Sequence, residues 1–128
     1  MSYTILVVDD DPDIVEINRI YLEQEGYTVI SAGDRMEARE IIQKQKPDLI
    51  LLDVMMATPT DGFDLAYELM EKPETKDIPI IMMTAMLGTS GYVETFQHIT
   101  ERPWPVSVFL EKPVSPEKLI ATVRKFLK

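Results

Sequence analysis

Apolar residues fall along this chain in two alternating rhythms. Short runs such as Ile5-Leu6-Val7-Val8, Leu49-Ile50-Leu51-Leu52 and Ile80-Ile81-Met82-Met83 alternate with stretches where apolar residues recur every three or four positions. The runs suit strands buried on both faces of a parallel sheet, and the wider spacing suits amphipathic helices. Thr4–Val8 is the first expected strand. Asp11 as N-cap, with Pro12 in the first turn, opens a helix whose apolar face reads Ile14, Ile17 and Tyr21, flanked by Val15 and Leu22. Gly26 is its natural stop. Tyr27–Ser31 is the second strand. Asp34 and Glu37 have capping-box spacing ahead of a helix with Ala38, Ile41 and Ile42 inward, ended by Pro47. Leu49–Asp53 is the third strand. Phe63, Leu65, Ala66, Leu69 and Met70 predict a third helix that stops near Pro73. Ile78–Thr84 and Val106–Leu110 read as the fourth and fifth strands. Ser115-Pro116 caps a last helix with Leu119, Ile120, Val123, Phe126 and Leu127 inward. Between the last two strands, Ala85–Pro105 is the least regular stretch, with a helix expected over Gly88–Ile99 and Val93 and Phe96 on its apolar side.

Strands alternating with helices imply an α/β fold with right-handed crossovers. The expected architecture is a single doubly wound, five-stranded parallel sheet with helices on both faces. Such sheets commonly run in the order 2-1-3-4-5, which sets strands 1 and 3 side by side where ligands bind. The 128 residues are read as one domain, 1–128, with no output module.

Composition narrows the function classes. There is no cysteine, which removes disulfides, thiol catalysis and cysteine-held metals. The net charge of −9 argues against nucleic acid or an anionic membrane as a partner of this chain. No apolar run approaches membrane-spanning length, and no targeting peptide precedes the first strand, so the expected location is cytoplasmic.

The chemistry lies where strands end. The first strand runs into Asp9-Asp10-Asp11 and the third ends on Asp53, so the expected order brings Asp9, Asp10 and Asp53 to one crevice. Carboxylates gathered there repel, and a hard divalent cation with oxygen ligands offsets that repulsion. Asp11, followed by Pro12, is read mainly as a helix cap. Thr84 ends the fourth strand and Lys112 follows the fifth, adding a hydroxyl and an amine to the same sheet edge. A phosphoryl group on Asp53 needs such a donor and such a cation.

The motifs VVDDDPDI (7–14), LLDVMM (51–56), MTA (83–85) and EKP (111–113) resemble the signature of response-regulator receiver domains, over the whole chain. The resemblance implies the flavodoxin-like receiver fold, with Asp53 as phosphoacceptor. Mg2+ would be bound by Asp9, Asp10 and Asp53 with the backbone carbonyl of Met55. Lys112 would pair with the phosphoryl group and Thr84 would hydrogen-bond to it. The donor would be a phosphohistidine of a sensor histidine kinase or a phosphotransfer protein. The product would be a self-modifying switch rather than a turnover enzyme, acting on an unidentified downstream protein, with homodimerisation left open. Thr84 and Phe109 would shift together on phosphorylation.

Two stretches depart from the family pattern. Ala57-Thr58-Pro59-Thr60-Asp61-Gly62 is one residue longer than usual beside the acceptor. The segment from Thr84 to Lys112 is several residues longer, and carries Glu101-Arg102-Pro103-Trp104-Pro105 where a Gly-Ala turn is usual. Trp104 is read equally as an aromatic anchor for a partner or as packing against the adjacent helix. His98 is read as a surface residue, and the pairs Met55-Met56 and Met82-Met83 as core filler. Two other classes are compatible with the sequence. A phosphorylation-independent adaptor would suit the altered loop near Asp53. A flavin or nucleotide enzyme would need a Gly- or Ser/Thr-rich phosphate loop, and here the first loop is acidic.

Overall fold

A computed structural model gives the structure of the protein and describes residues 3–53, 61–84, 108–111 and 114–127. Its elements are β1 (Thr4–Val8), α1 (Pro12–Gln24), β2 (Thr28–Ala32), α2 (Arg35–Lys44), β3 (Leu49–Asp53), α3 (Asp61–Glu71), β4 (Ile80–Thr84), β5 (Val108–Glu111) and α4 (Pro116–Phe126). The strands form one sheet in the order β2-β1-β3-β4-β5, with every neighbouring pair parallel. This is the doubly wound arrangement that the alternation of strand and helix predicts. The helix expected over 88–99 lies outside the described residues.

Side chains on successive strand residues point to opposite faces, so each central run feeds two cores. Leu6, Val8, Ile50, Leu52 and Met82 pack on one face with Ala38 and Ile42 of α2 and Leu65, Ala66 and Leu69 of α3. Ile5, Val7, Leu49, Leu51, Ile81 and Met83 pack on the other, with Leu22 of α1 and Leu119 and Val123 of α4. A polar residue in β1 or β3 would thus face an apolar layer whichever way it pointed, until the strand reaches its carboxyl end.

Local chemistry sets the helix ends. Asp11 caps α1 by accepting the Asp13 N–H at 2.9 Å, with Pro12 beside it. Gly26 has φ +92°, a conformation that favours glycine; its N–H donates to the Glu23 carbonyl and that of Tyr27 to the Leu22 carbonyl, closing α1. Asp34 accepts the Glu37 N–H at 2.8 Å, while the Glu37 carboxylate accepts from Gly33 N–H at 2.6 Å. The reciprocal cap therefore reaches one residue further back than the usual pattern. Ser115 caps α4 through the Lys118 N–H.

Several expectations about faces and bounds are corrected. The inward residues of α1 are Asn18 and Leu22, with Val15 partly buried, whereas Ile17 and Ile20 are each 48% exposed. Apolar residues surround so much of this helix that periodicity could not select the face; the sheet selects it. In α4, Phe126 is exposed and Thr122 is buried instead, its hydroxyl donating to the Lys118 carbonyl at 2.7 Å. β2 starts at Thr28 because Tyr27 closes α1. β4 starts at Ile80 because the Ile78 N–H is held by Thr75 in the preceding turn. β5 extends one residue further than expected, to Glu111.

Candidate functional site

The parallel register decides which side chains meet. Val8 of β1 lies beside Leu52 of β3, so the next residues, Asp9 and Asp53, emerge together at the carboxyl edge of the two central strands. The Asp9 N–H donates to the Ala32 carbonyl at 3.1 Å, so β2 holds its main chain in place. Its Oδ1 accepts the Asp11 N–H at 3.0 Å, which fixes the carboxylate against the turn into α1. Asp9 is 2% exposed and Asp53 6% exposed, while Asp10 faces solvent.

One carboxylate oxygen from each of Asp9, Asp10 and Asp53 lies within 4.8 Å of the other two. At an effective dielectric of about 20, each such pair of charges repels by roughly 3 kcal/mol. Three hard oxygen donors, two of them sheltered from water, form a group that can hold a divalent cation. This is the convergence that the ends of the first and third runs predict. A cavity of about 330 Å³ opens beside it, lined also by Glu16, Ser31 and Gly33. Arg19 borders this side, 3.4 Å from Glu16 and donating to Ser31 Oγ at 3.5 Å. This trio is not among the residues that the sequence pattern singles out. The spacing of Glu16 and Arg19 on α1 hints at their pairing, but nothing local points to Ser31.

The other expected site residues are placed only through the main chain. Met83 of β4 is the register partner of Asp53, and Thr84 is the next residue, paired with Glu111 of β5. Thr84 thus closes its strand at the same edge. Phe109 pairs with Met82 in the β4–β5 ladder. The side chains of Thr84 and Phe109, and the whole of Met55, His98, Trp104 and Lys112, lie outside the described residues. No helix among the described residues is long and apolar enough to cross a membrane.

Comparison with known proteins agrees with this arrangement. The family model described as the response regulator receiver domain matches residues 5–124. The phosphate regulon transcriptional regulatory protein PhoB of Pseudomonas aeruginosa is 36% identical over 125 residues, covering 98% of this chain and 52% of its own length. The DNA-binding dual master transcriptional regulator RpaA of Synechocystis sp. is 34% identical over 124 residues, covering 97% of this chain and 48% of its own length. The chain thus spans about half the length of the curated relatives it matches. Among solved structures, a putative response regulator from Chloroflexus aurantiacus superposes with a TM-score of 0.85 at 31% identity, covering 99% of this chain and 98% of that one. The chemotaxis protein CheY4 of Vibrio cholerae gives 0.83 at 30% identity, covering 99% and 100%. With its sheet order, its paired strand ends and this match over nearly the whole chain, the protein belongs to the response regulator receiver domain family, a module of two-component signalling.

Proposed function

We propose that this receiver accepts a phosphoryl group on Asp53 from the phosphohistidine of a sensor histidine kinase or a phosphotransfer protein. The modified domain then presents an altered surface to a downstream protein. The observation that carries this reading is the convergence of Asp9, Asp10 and Asp53 at the carboxyl edge of β1 and β3. Asp53 ends a fully buried strand, so its carboxylate is presented to the crevice by a rigid support. One carboxylate oxygen forms the new P–O bond while the P–N bond breaks, and the donor imidazole leaves with the bonding pair. Water later attacks phosphorus and releases inorganic phosphate and the Asp53 carboxylate.

The donor set suits Mg2+, a hard ion that takes one or two carboxylates and keeps several waters. Asp9, Asp10 and Asp53, with the Met55 carbonyl, are the residues that would hold it. When bound, the ion neutralises charge on the phosphoryl oxygens. In this reading the Lys112 ammonium pairs with a phosphoryl oxygen and the Thr84 hydroxyl donates to another. Movement of Thr84 toward the phosphoryl group couples to Phe109 on the adjacent strand and carries the signal outward. The protein catalyses its own modification and its reversal, and works in the cytoplasm as a switch. Family membership together with the acidic cluster favours this over the adaptor reading.

Intact mass after incubation with Mg2+ and acetyl phosphate tests the proposal. One added phosphoryl group is expected in the wild type, none with EDTA and none in Asp53→Asn. An unmodified wild type, or modification that survives in Asp53→Asn, would overturn it.

A further inference from the structure

A second concavity, about 490 Å³, lies between α2 and α3, away from the acidic crevice. Its origin is a ladder of cross-helix ion pairs that stops short. Arg35 pairs with Asp64 at 3.3 Å, and one turn on, Arg39 grips Glu68 through two nitrogens, Nε to Oε2 at 2.6 Å and Nη2 to Oε1. The next step along α2 is Gln43, a neutral amide, and α3 ends at Glu71, so Lys72 follows in the turn; both line the space. No ion pair forms there among the described residues, and the space between the helices is left open.

The lining of this space has a definite chemistry. Ile42 and Leu69, both buried, supply an apolar wall. Thr75 lines it too, and its hydroxyl donates to the Leu69 carbonyl at 2.6 Å and pins the turn after α3. Glu68 is held by the two hydrogen bonds from Arg39, and the Lys72 charge acts more weakly on the same carboxylate. Lys46 and Lys72 line the cavity without an ion-pair partner among the described residues, and Glu74 is the one remaining acid there. The carbonyl ends of α2 and α3 favour cations at these positions, and with Arg39, Lys46 and Lys72 against Glu68 and Glu74 the lining keeps one net positive charge. The size lies in the range of small-molecule sites.

We infer that this cavity binds a small organic anion, a carboxylate on an aliphatic or aromatic body. The head sits between Lys46 and Lys72, and the body lies on Ile42, Leu69 and the methylene stems of the lysines. The site lies outside the phosphoacceptor crevice and does not depend on the reading of Asp53.

Two-dimensional amide NMR titration with 4-phenylbutyrate tests this, with 4-phenylbutanol as the uncharged control. Saturable shifts are expected at residues 39–46 and 68–75. Affinity should be weaker by about tenfold or more for the alcohol, and for the double variant Lys46→Gln/Lys72→Gln, as loss of a charge-assisted contact implies. The two lysines are exposed, and the variant's amide spectrum reports whether it is folded. Absence of saturable shifts at millimolar ligand would overturn the proposal, as would equal binding of the alcohol or of the double variant. Shifts at these residues that grow with protein concentration alone would assign the groove to a second copy of the chain and overturn it as well.

Discussion

Replacing Asp10 by Asn isolates the electrostatics of the crevice. The Asp10 side chain is exposed and takes part in no hydrogen bond or ion pair among the described residues, so the change removes a charge and little else. Its oxygen lies within 4.8 Å of oxygens on Asp9 and Asp53. Each pair repels by roughly 1 kcal/mol in fully screening water and by roughly 3 kcal/mol at an effective dielectric near 20. Exposure of Asp10 places both pairs toward the lower figure. The N-terminus of α1 nearby favours an acid by about 0.5 kcal/mol. The net expectation is a variant more stable than the wild type by about 1–2 kcal/mol in EDTA, a rise of roughly 0.5–1 M in the urea midpoint. Saturating Mg2+ should reverse the order. At a hundredfold excess over its dissociation constant, a ligand bound only by the folded state adds about 2.7 kcal/mol. The variant, short of one donor, should gain distinctly less. Equilibrium urea unfolding followed by circular dichroism, with EDTA and with Mg2+, measures both increments. An Asp10→Asn midpoint at or below wild type in EDTA would refute the repulsion argument. Equal Mg2+ increments in the two proteins would refute the assignment of Asp10 to the ion.

Two further changes probe the scaffold. Asn18 is 8% exposed against the sheet and its Nδ2 has no hydrogen-bond partner among the described residues; Asn18→Leu keeps the branching at Cγ and should stabilise by about 1–2 kcal/mol. A lower urea midpoint for Asn18→Leu would show that the amide is satisfied or that the site is overfilled. The hydrogen bonds from Arg39, opposed by burial and aided by its charge and those of Arg35 and Lys72, hold Glu68 below the usual carboxylate range. The unfolded chain therefore takes up that proton first, so this stabilisation is complete above the ordinary carboxylate value and is lost as pH falls through the lowered one. Because the pair is about one-third exposed, Glu68→Gln should cost only about 0.5–1 kcal/mol at neutral pH and should flatten the acid limb of the stability curve. Parallel pH curves for wild type and Glu68→Gln would contradict this; the raised Arg39 value matters only in strong alkali.

The parts of this structure that were legible in advance are those with a local cause. β1 and β3 were readable because a strand buried on both faces needs an unbroken apolar run, and their last residues then fall at the edge by necessity. Asp11, Asp34 and Ser115 were readable as caps because a capping side chain bonds two or three residues ahead. The inner face of α1 was not readable. Ile14, Val15, Ile17, Ile20, Tyr21 and Leu22 spread around the helix, and only contact with the sheet puts Asn18 inside and Ile17 and Ile20 outside. The Arg35–Asp64 and Arg39–Glu68 pairs lie 29 residues apart in sequence. Nothing in either helix alone names its partner, so the α2–α3 cavity could not have been anticipated.

A sheet edge that gathers three acids would be a defect in a weaker scaffold. Here Ile5, Leu6, Val7, Val8, Leu49, Ile50, Leu51 and Leu52 are all fully buried behind it. Each such side chain contributes about 1.5–3 kcal/mol on leaving water, so together they exceed the few kcal/mol of repulsion between the acids. The repulsion is therefore tolerable, and it is the term that binding can change: a divalent cation would remove it, and the phosphoryl group proposed for Asp53 would add negative charge to the same crevice. The buried runs of β1 and β3 have no slack to absorb such a change, because both of their faces are packed. Any rearrangement must leave through elements that border the edge without being enclosed by it. β4 offers no such route along Ile80–Met83, whose side chains are buried in the two cores just as those of β1 and β3 are. A change of charge in the crevice is therefore expected to leave β1, β3 and β4 in place and to act on the groups around their carboxyl ends.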